Sequence, residues 1–303
     1  MDDNALMRVR VEQVSSLTFD DGTPVRAASA VAPFGDGWLV VQDDATHAAW
    51  VRAGSVTPVR VVAPVDGVEV FSSAAGTKHL KPDFEAACPL PSGGVLLLGS
   101  GSTAARTRVA LVSPGETVVA DLPALYAAVA ARLGLTADLL NLEGACLVGD
   151  RLRWFQRGNS AAGVPSASVD VDLAALLRAM TDGPDDRIDV SGVRRYELGT
   201  VGGVALAVTD AVALPDGKVL VSAAAEDTPN PVDDGPVVGA ALALIDDRTV
   251  VAVAGLPADG GVAPKVEGLA VRGTTPDGVR LLAVVDVDDP IVPSQALEIT
   301  LEW

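Results

Sequence analysis

The stretch Asp210-Ala211-Val212-Ala213-Leu214-Pro215-Asp216-Gly217-Lys218-Val219-Leu220-Val221 holds two apolar runs separated by a Pro-Asp-Gly turn. Proline presets φ and glycine supplies a positive φ, so the segment reads as a hairpin of two buried strands. The same grammar recurs. Ser29 to Val41 turns at Gly35-Asp36-Gly37, Glu85 to Leu98 at Pro91-Ser92-Gly93-Gly94, and Glu143 to Phe155 at Gly149-Asp150. A fifth copy begins at Glu267-Gly268-Leu269, turns at Pro276-Asp277-Gly278 and returns through Leu281 to Val285. The copies start at 29, 85, 143, 210 and 267, which gives spacings of 56, 58, 67 and 57. Such a period signals repeated supersecondary units.

Each unit continues through a polar loop into a third strand, for example Arg108-Val109-Ala110-Leu111-Val112. Most units add a fourth, such as Thr249-Val250-Val251-Ala252-Val253. Four antiparallel strands per unit make an all-β fold, a β-propeller of five four-stranded blades. Six blades is the alternative, with the extra blade in 64–83 or in the long third unit. The fifth unit reaches Trp303 with only three strands. The run Met7 to Val14 lacks another partner, so this N-terminal strand should close the last blade and cover an exposed sheet edge. Residues 1–303 then form a single domain. Helical insertions are expected near 122–134, with Asp121 as N-cap and Gly134 as stop, and near 170–180. The charged segment 181–195 reads as loop.

Of the 303 residues, 40 are Asp or Glu and 22 are Lys or Arg, a formal charge of -18, while 49% are apolar. That apolar share excludes a disordered chain. The acidity argues against nucleic acid, whose phosphates need clustered cations. Two cysteines cannot build a disulfide framework or a cysteine-rich zinc site, and two histidines argue against a histidine-rich one. The start Met1-Asp2-Asp3-Asn4 is no signal peptide, and no apolar run is long enough to span a membrane. The expected location is cytoplasmic. Arginine far outnumbers lysine, which suits a GC-rich, bacterial genome.

Glu85, Glu143, Asp210 and Glu267 head four of the five units, and Ser29 heads the first. First strands line a propeller channel, so these acids should form a ring whose mutual repulsion a cation would relieve. Hard oxygen ligands favour Ca2+. The alternative is structural: each acid binds neighbouring backbone N–H groups and locks blades together. Loops ending the second strands open on the same face and carry Asp43, Asp44, Arg157, Asn159, Glu226, Asp227 and Asp286 to Asp289. Lys78-His79-Leu80-Lys81 precedes Glu85, so His79 is a candidate acid or base and Lys81 a candidate anion ligand. Ser100-Gly101-Ser102-Thr103 with Arg106 could hold a phosphate or carboxylate. The catalytic candidates are thus His79, Glu143 and Asp286. Lys81, Arg106, Arg157, Asn159 and Glu226 are ligand-binding candidates. No nucleophile elbow is present.

The stretches Lys81-Pro82-Asp83-Phe84-Glu85-Ala86, Gly99-Ser100-Gly101-Ser102-Thr103, Asn141-Leu142-Glu143-Gly144-Ala145, Gln156-Arg157-Gly158-Asn159 and Val266-Glu267-Gly268-Leu269 resemble a family of uncharacterised bacterial β-propeller proteins. The Glu-Gly-Leu/Ala signature is more distantly similar to SdiA-regulated and esterase-like phytase propellers. The first resemblance implies a propeller with a conserved-looking rim and no established activity, and the second implies phosphoester chemistry. Together with the acid ring, the expectation is a Ca2+-binding hydrolase of a small phosphoester or lactone. The alternative is a non-catalytic propeller that binds a small molecule or a protein.

Overall fold

The computed structural model describes residues 7–181, 183–227, 235–258, 263–287, 289 and 291–303. They form five four-stranded antiparallel sheets arranged as a five-bladed β-propeller. From the channel outward, blade 1 runs Ala28–Phe34, Gly37–Gln42, His47–Arg52 and Ser55–Arg60. Blade 2 runs Phe84–Pro89, Val95–Gly99, Arg108–Ser113 and Glu116–Asp121. Blade 3 runs Leu142–Val148, Arg151–Gln156, Ser166–Asp172 and Val190–Tyr196. Blade 4 runs Ala207–Ala213, Val219–Glu226, Val237–Asp246 and Thr249–Gly255. Blade 5 runs Val266–Thr275, Gly278–Val285 and Gln295–Glu302.

The fourth strand of blade 5 comes from the other end of the chain. Arg8–Ser16 lies antiparallel to Gln295–Glu302, with Arg8 opposite Glu302 and Ser16 opposite Gln295. The ring is therefore closed by hydrogen bonds between the first and last strands, as the unpaired N-terminal run predicts. Segment 64–83 holds only isolated bridges and a short 3-10 turn, so no sixth blade is present there.

The apolar alternation of the strands fills five core clusters, one per blade interface. Phe34, Leu39, Phe84 and Leu97 join blades 1 and 2. Phe155, Tyr196, Val221 and Ala243 join blades 3 and 4. Aromatics are few, so Val, Leu and Ala fill most of the space between sheets. At the interface of blades 2 and 3, helix α1 (Pro123–Leu133) adds its own buried residues Leu125, Tyr126 and Val129. There Tyr126 meets the buried Trp154 edge-on at 5.0 Å between ring centroids.

Local details differ from the sequence reading. Asp121 does not cap α1. It ends the fourth strand of blade 2 and pairs with Arg108, and Leu122 occupies the cap. Gly134, with φ of 76°, ends α1 in the left-handed conformation that glycine favours. Asp170 and Asp172 are strand residues, and helix α2 (Leu173–Ala179) starts after Asp172, whose carboxylate accepts a hydrogen bond from the Ala175 N–H. Segment 181–195 is not all loop. From Val190 it is the outer strand of blade 3, where Arg194 is tied to Asp170 of its own blade and Asp247 of the next. An outer strand with one wet face tolerates such charge, which masks its period. Among the described residues no helix is long and apolar enough to cross a membrane.

Every inner strand carries one extra residue near its start. The pairing register slips between Ala28 and Ala30, Phe84 and Ala86, Leu142 and Ala145, Val208 and Asp210, and Val266 and Gly268. These are β-bulges, which re-aim a side chain and bend the strand. The residue after the bulge then approaches the next blade closely. A Cβ on Gly144 would come within 2.5 Å of the Ala211 nitrogen, and one on Gly268 within 2.7 Å of the Ala30 backbone. This explains the Glu-Gly pair: the acid takes the bulge and glycine lets the neighbouring inner strand pass. Gly144→Ala should therefore force two backbones apart and cost about 1–3 kcal/mol, the usual penalty of overpacking. Equilibrium urea unfolding measures this; an unchanged midpoint would refute the close-approach account.

Candidate functional site

The bulges decide which side chains reach the channel mouth. Glu85, Glu143 and Glu267 sit at the bulges of blades 2, 3 and 5, and all three line one cavity of about 1160 Å³. In blade 1 the bulge residue is Ser29, whose hydroxyl donates to the Phe84 carbonyl at 2.6 Å. In blade 4 it is Thr209, not Asp210. The Thr209 hydroxyl donates to the Val266 carbonyl at 2.5 Å, the counterpart of the Ser29 bond. A one-residue slip in a strand turns a side chain to the opposite face. Asp210 consequently lies off the cavity, buried against the next blade, where it accepts the Leu269 N–H at 2.6 Å. Burial pushes its carboxyl well above the usual range. Asp210 is a lock between blades 4 and 5.

The floor of the cavity is a set of ion pairs in two groups. In the first, the Lys81 ammonium contacts Asp43 and lies 2.6 Å from Asp83 and 3.9 Å from Glu85. Asp83 also receives Arg106 at 3.1 Å and the hydroxyl of Ser100. Ser102 bridges Ser100 and Arg106, at 2.8 and 2.9 Å. The hydroxyls and guanidinium that the sequence offers to an anion are thus occupied by Asp83. Asp83 sits at φ of 59°, in the left-handed region that non-glycine residues enter at a cost. This turn carries its carboxylate beneath Lys81.

In the second group, Arg157 joins Glu143 at 2.9 Å and Glu226 at 2.6 Å, and Lys265 joins Glu226 at 3.0 Å and Glu267 at 2.7 Å. Asn141 adds a hydrogen bond to Glu143 at 2.9 Å. The result is a chain of alternating charge, Glu143–Arg157–Glu226–Lys265–Glu267, laid across blades 3, 4 and 5. Lys265 is a floor residue that the motif reading missed. The signal was present: the chain has four lysines, and two of them, Lys81 and Lys265, lie within four residues before a ring glutamate.

Burial sets the charge states. Glu85 is raised well above the usual carboxyl range by burial and by the charges of Asp43 and Asp83, with Lys81 opposing. Glu143 is pushed up to about 7 by burial, with Arg157 pulling it back and Glu267 adding to the rise. Asp83 is also buried, yet Lys81 and Arg106 hold it below the usual range. Burial alone would lower Lys81 and Lys265, but their carboxylate neighbours raise both. The site therefore sets two carboxyls that burial raises, Glu85 and Glu143, among a network of ion pairs.

The remaining candidates line the same cavity. His79 is exposed on the 3-10 turn Lys78–Leu80, and Asp286 follows the second strand of blade 5. Asn159 lines the cavity but uses its side chain to accept the Ala162 N–H at 3.1 Å within its own turn. Asp288 and residues 228–230 of the rim loops lie outside the described residues.

The four acids assigned to Ca2+ do not form one ligand set. Among the described residues, Asp43, Asp83 and Glu85 bring carboxylate oxygens within 4.8 Å of one another. Glu143 and Glu267 are held by Arg157 and Lys265, and Asp210 is turned away. Calcium takes six to eight oxygens. The set of three supplies part of that shell, and an ammonium already lies against two of its members.

Residues 77–290 match a family described as a family of unknown function, DUF6910, and the chain belongs to that family. No curated protein matches the chain. Among solved structures it is similar to a luciferin-regenerating enzyme, at 10% identity over 92% of this chain and 78% of that one, with a TM-score of 0.44. It is also similar to a gluconolactonase from Xanthomonas campestris, at 14% identity over 93% and 72% of the two chains, with a TM-score of 0.35. A protein of unknown function from Dyadobacter fermentans is 12% identical over 97% of this chain and 99% of its own, with a TM-score of 0.42.

Proposed function

We propose that this DUF6910 propeller binds a small, uncharged, hydroxyl-rich molecule at its channel mouth and hydrolyses it by proton transfer through Glu143, a lactone being the simplest such substrate. The observation that carries this reading is the charge state of the floor. Lys81, Arg106, Arg157 and Lys265 are all bonded to carboxylates, while burial raises the Glu143 carboxyl to about 7 and that of Glu85 well above the usual range. A dianionic phosphoester would meet no unpaired cation among these four and would face the carboxylates of Asp43, Asp83, Glu226 and Glu267. A neutral ester avoids that repulsion.

In this mechanism the Glu143 carboxylate takes a proton from water as the water oxygen attacks the lactone carbonyl. The ring C–O bond then breaks, and the protonated Glu85 supplies a proton to the departing oxygen. The product is a hydroxy acid, and one proton passes from Glu143 back to Glu85 through water. Two carboxyls raised by burial, one of them to about 7, suit these proton-carrying roles. Arg157 and Asn141 hold Glu143 in place. Lactone hydrolysis is expected to rise with pH through about 7, as Glu143 loses its proton, with no turnover of p-nitrophenyl phosphate. If no lactone or ester is cleaved between about pH 5 and 9, on either side of neutrality, the catalytic reading fails and a binding propeller remains.

A second reading, Ca2+ at Asp43, Asp83 and Glu85, is favoured by their close oxygens. It needs the Lys81 ammonium to leave them. Under the first reading, millimolar calcium leaves the melting temperature of the wild type unchanged, and only Lys81→Met responds to it. A calcium-dependent rise in the wild type would establish the metal reading instead.

A further inference from the structure

The cavity is two-sided. On blades 1, 2 and 5 every described lining residue carries a charge, a hydroxyl or an imidazole, from Asp43 and Ser73 through Thr103 to Lys265 and Asp286. Apolar lining residues occur only on blades 3 and 4, interspersed there with polar ones. Leu139 comes from the 3-10 turn Ala137–Leu139, Val164 and Pro165 precede the third strand of blade 3, Ala205 ends a small hairpin, and Leu198 and Leu206 flank it. That hairpin, Thr200–Val201 paired with Val204–Ala205, joins blade 3 to blade 4. It is seated firmly: a Cβ on Gly239 would come within 2.4 Å of the Val201 side chain. Pro165 and Ala205 are exposed and Leu139 is half-exposed, so the wall offers accessible apolar surface inside the cavity. The volume of about 1160 Å³ also exceeds the ~300–1,000 Å³ of ordinary small-ligand pockets. A lactone ring alone would leave most of it filled with water.

We infer that the substrate is amphiphilic, with a neutral polar head over the ion-paired floor and an alkyl tail along the wall of blades 3 and 4. This inference rests on the hydrolytic reading for the chemistry at the head, but the tail subsite stands on geometry alone. The order of the two walls fixes the pose. The head lies by Glu85 and Glu143, and the tail runs over Leu139 and Pro165 toward Ala205.

The test uses two series with the full-length protein. The first is γ-lactones with linear alkyl substituents of increasing length, read as kcat/KM. The second is n-alkyl β-glucosides, uncharged amphiphiles that need not be cleaved, read by isothermal titration below their micelle concentrations. Full burial of a methylene is worth about a fourfold change in affinity, and this half-open wall should give about twofold per methylene in both series. Ala205→Glu places a carboxylate on the exposed wall without touching the core, and is expected to flatten the length dependence while short lactones still turn over. Pro165→Asp provides a second, independent variant. Glucoside affinity that grows with length and falls in both variants, without any lactone turnover, would uphold the tail subsite and defeat the hydrolytic reading. Lactone turnover and glucoside binding that are both flat with length would overturn the tail subsite and leave the hydrolytic reading intact. The same dependence persisting in both variants would also overturn it, since the tail would then lie elsewhere.

Discussion

Arg157→Met is expected to destabilise the protein by about 3 kcal/mol, the low end of the ~3–5 kcal/mol that follows removal of one partner from a buried ion pair. Arg157 keeps 18% of its side-chain surface, so water relieves part of the loss. The effect would still be large, because an entire domain is commonly stable by only about 5–15 kcal/mol. Arg157 satisfies two carboxylates, Glu143 and Glu226, whose side chains are only 7% and 6% exposed. Glu226 retains Lys265 at 3.0 Å, so Glu143 bears most of the deficit, with Asn141 as its remaining partner. It should respond by holding its proton to higher pH. Its pKa in the folded protein would rise further above the unfolded value, so the variant should be closest to wild type in mild acid and should lose stability as pH rises through and beyond 7. Adding Glu143→Gln removes the stranded charge and should restore part of the loss. Urea unfolding at pH 5.5 and 8 measures all three proteins. Equal midpoints for Arg157→Met and wild type at pH 8 would mean that the alternating chain on the floor contributes nothing to folding.

That chain also marks the boundary of what the sequence discloses. Blade grammar was legible because it rests on local chemistry: Pro-Asp-Gly turns between apolar runs recur at a nearly constant spacing, and the unpaired run Met7 to Val14 must find an edge. The heads of the blades were legible only to within one residue. Asp210 aligns with Glu85 and Glu267 by eye, yet Thr209 takes the bulge, because bulge position depends on pairing with the second strand and not on the strand's own composition. A side-chain period of two makes that slip decisive: it moves an acid from the channel mouth into the contact between two blades. The outer strand of blade 3 was hidden for a related reason. Val190 to Tyr196 carries Arg194 and Arg195, which dilute its apolar alternation, and Arg194 pairs with Asp170 and Asp247 across space. Partners were the least legible feature. Lys81, Arg106, Arg157 and Lys265 look like a supply of cations for a bound anion when each is read alone. Only the tertiary arrangement brings a carboxylate to every one of them.

Glu143→Gln is expected to reduce lactone turnover by about 10²–10⁴-fold in kcat with little change in KM, the usual contribution of a positioned general base. The same variant should be no less stable than wild type, and this separates a catalytic loss from a folding defect. A glutamine oxygen can still accept from Asn141 and Arg157, and Arg157 retains Glu226. The sign of the stability change follows from Glu143 itself. Burial pushes its carboxyl up to about 7 in the folded protein, above an unfolded value near 4.3. A raised pKa gives a contribution that is complete below the unfolded pKa and is lost as pH rises through 7. Wild type should therefore lose stability between about pH 4.3 and 7 through this group. Glutamine cannot titrate, so the variant should show a flatter profile over that interval and gain relative to wild type at pH 8. Asp44, pushed up to about 6 by burial and by Asp43, titrates in the same window and should persist in both proteins as an internal reference. Loss of turnover together with a flattened stability profile would place one titrating carboxyl at both the chemistry and the folding equilibrium. Loss of turnover with an unchanged profile would mean that Glu143 is ionised throughout this range; it would remain the base, and the rise of activity through pH 7 would be absent. Retained turnover would remove Glu143 from the mechanism and leave it as the partner that holds Arg157 against Glu226.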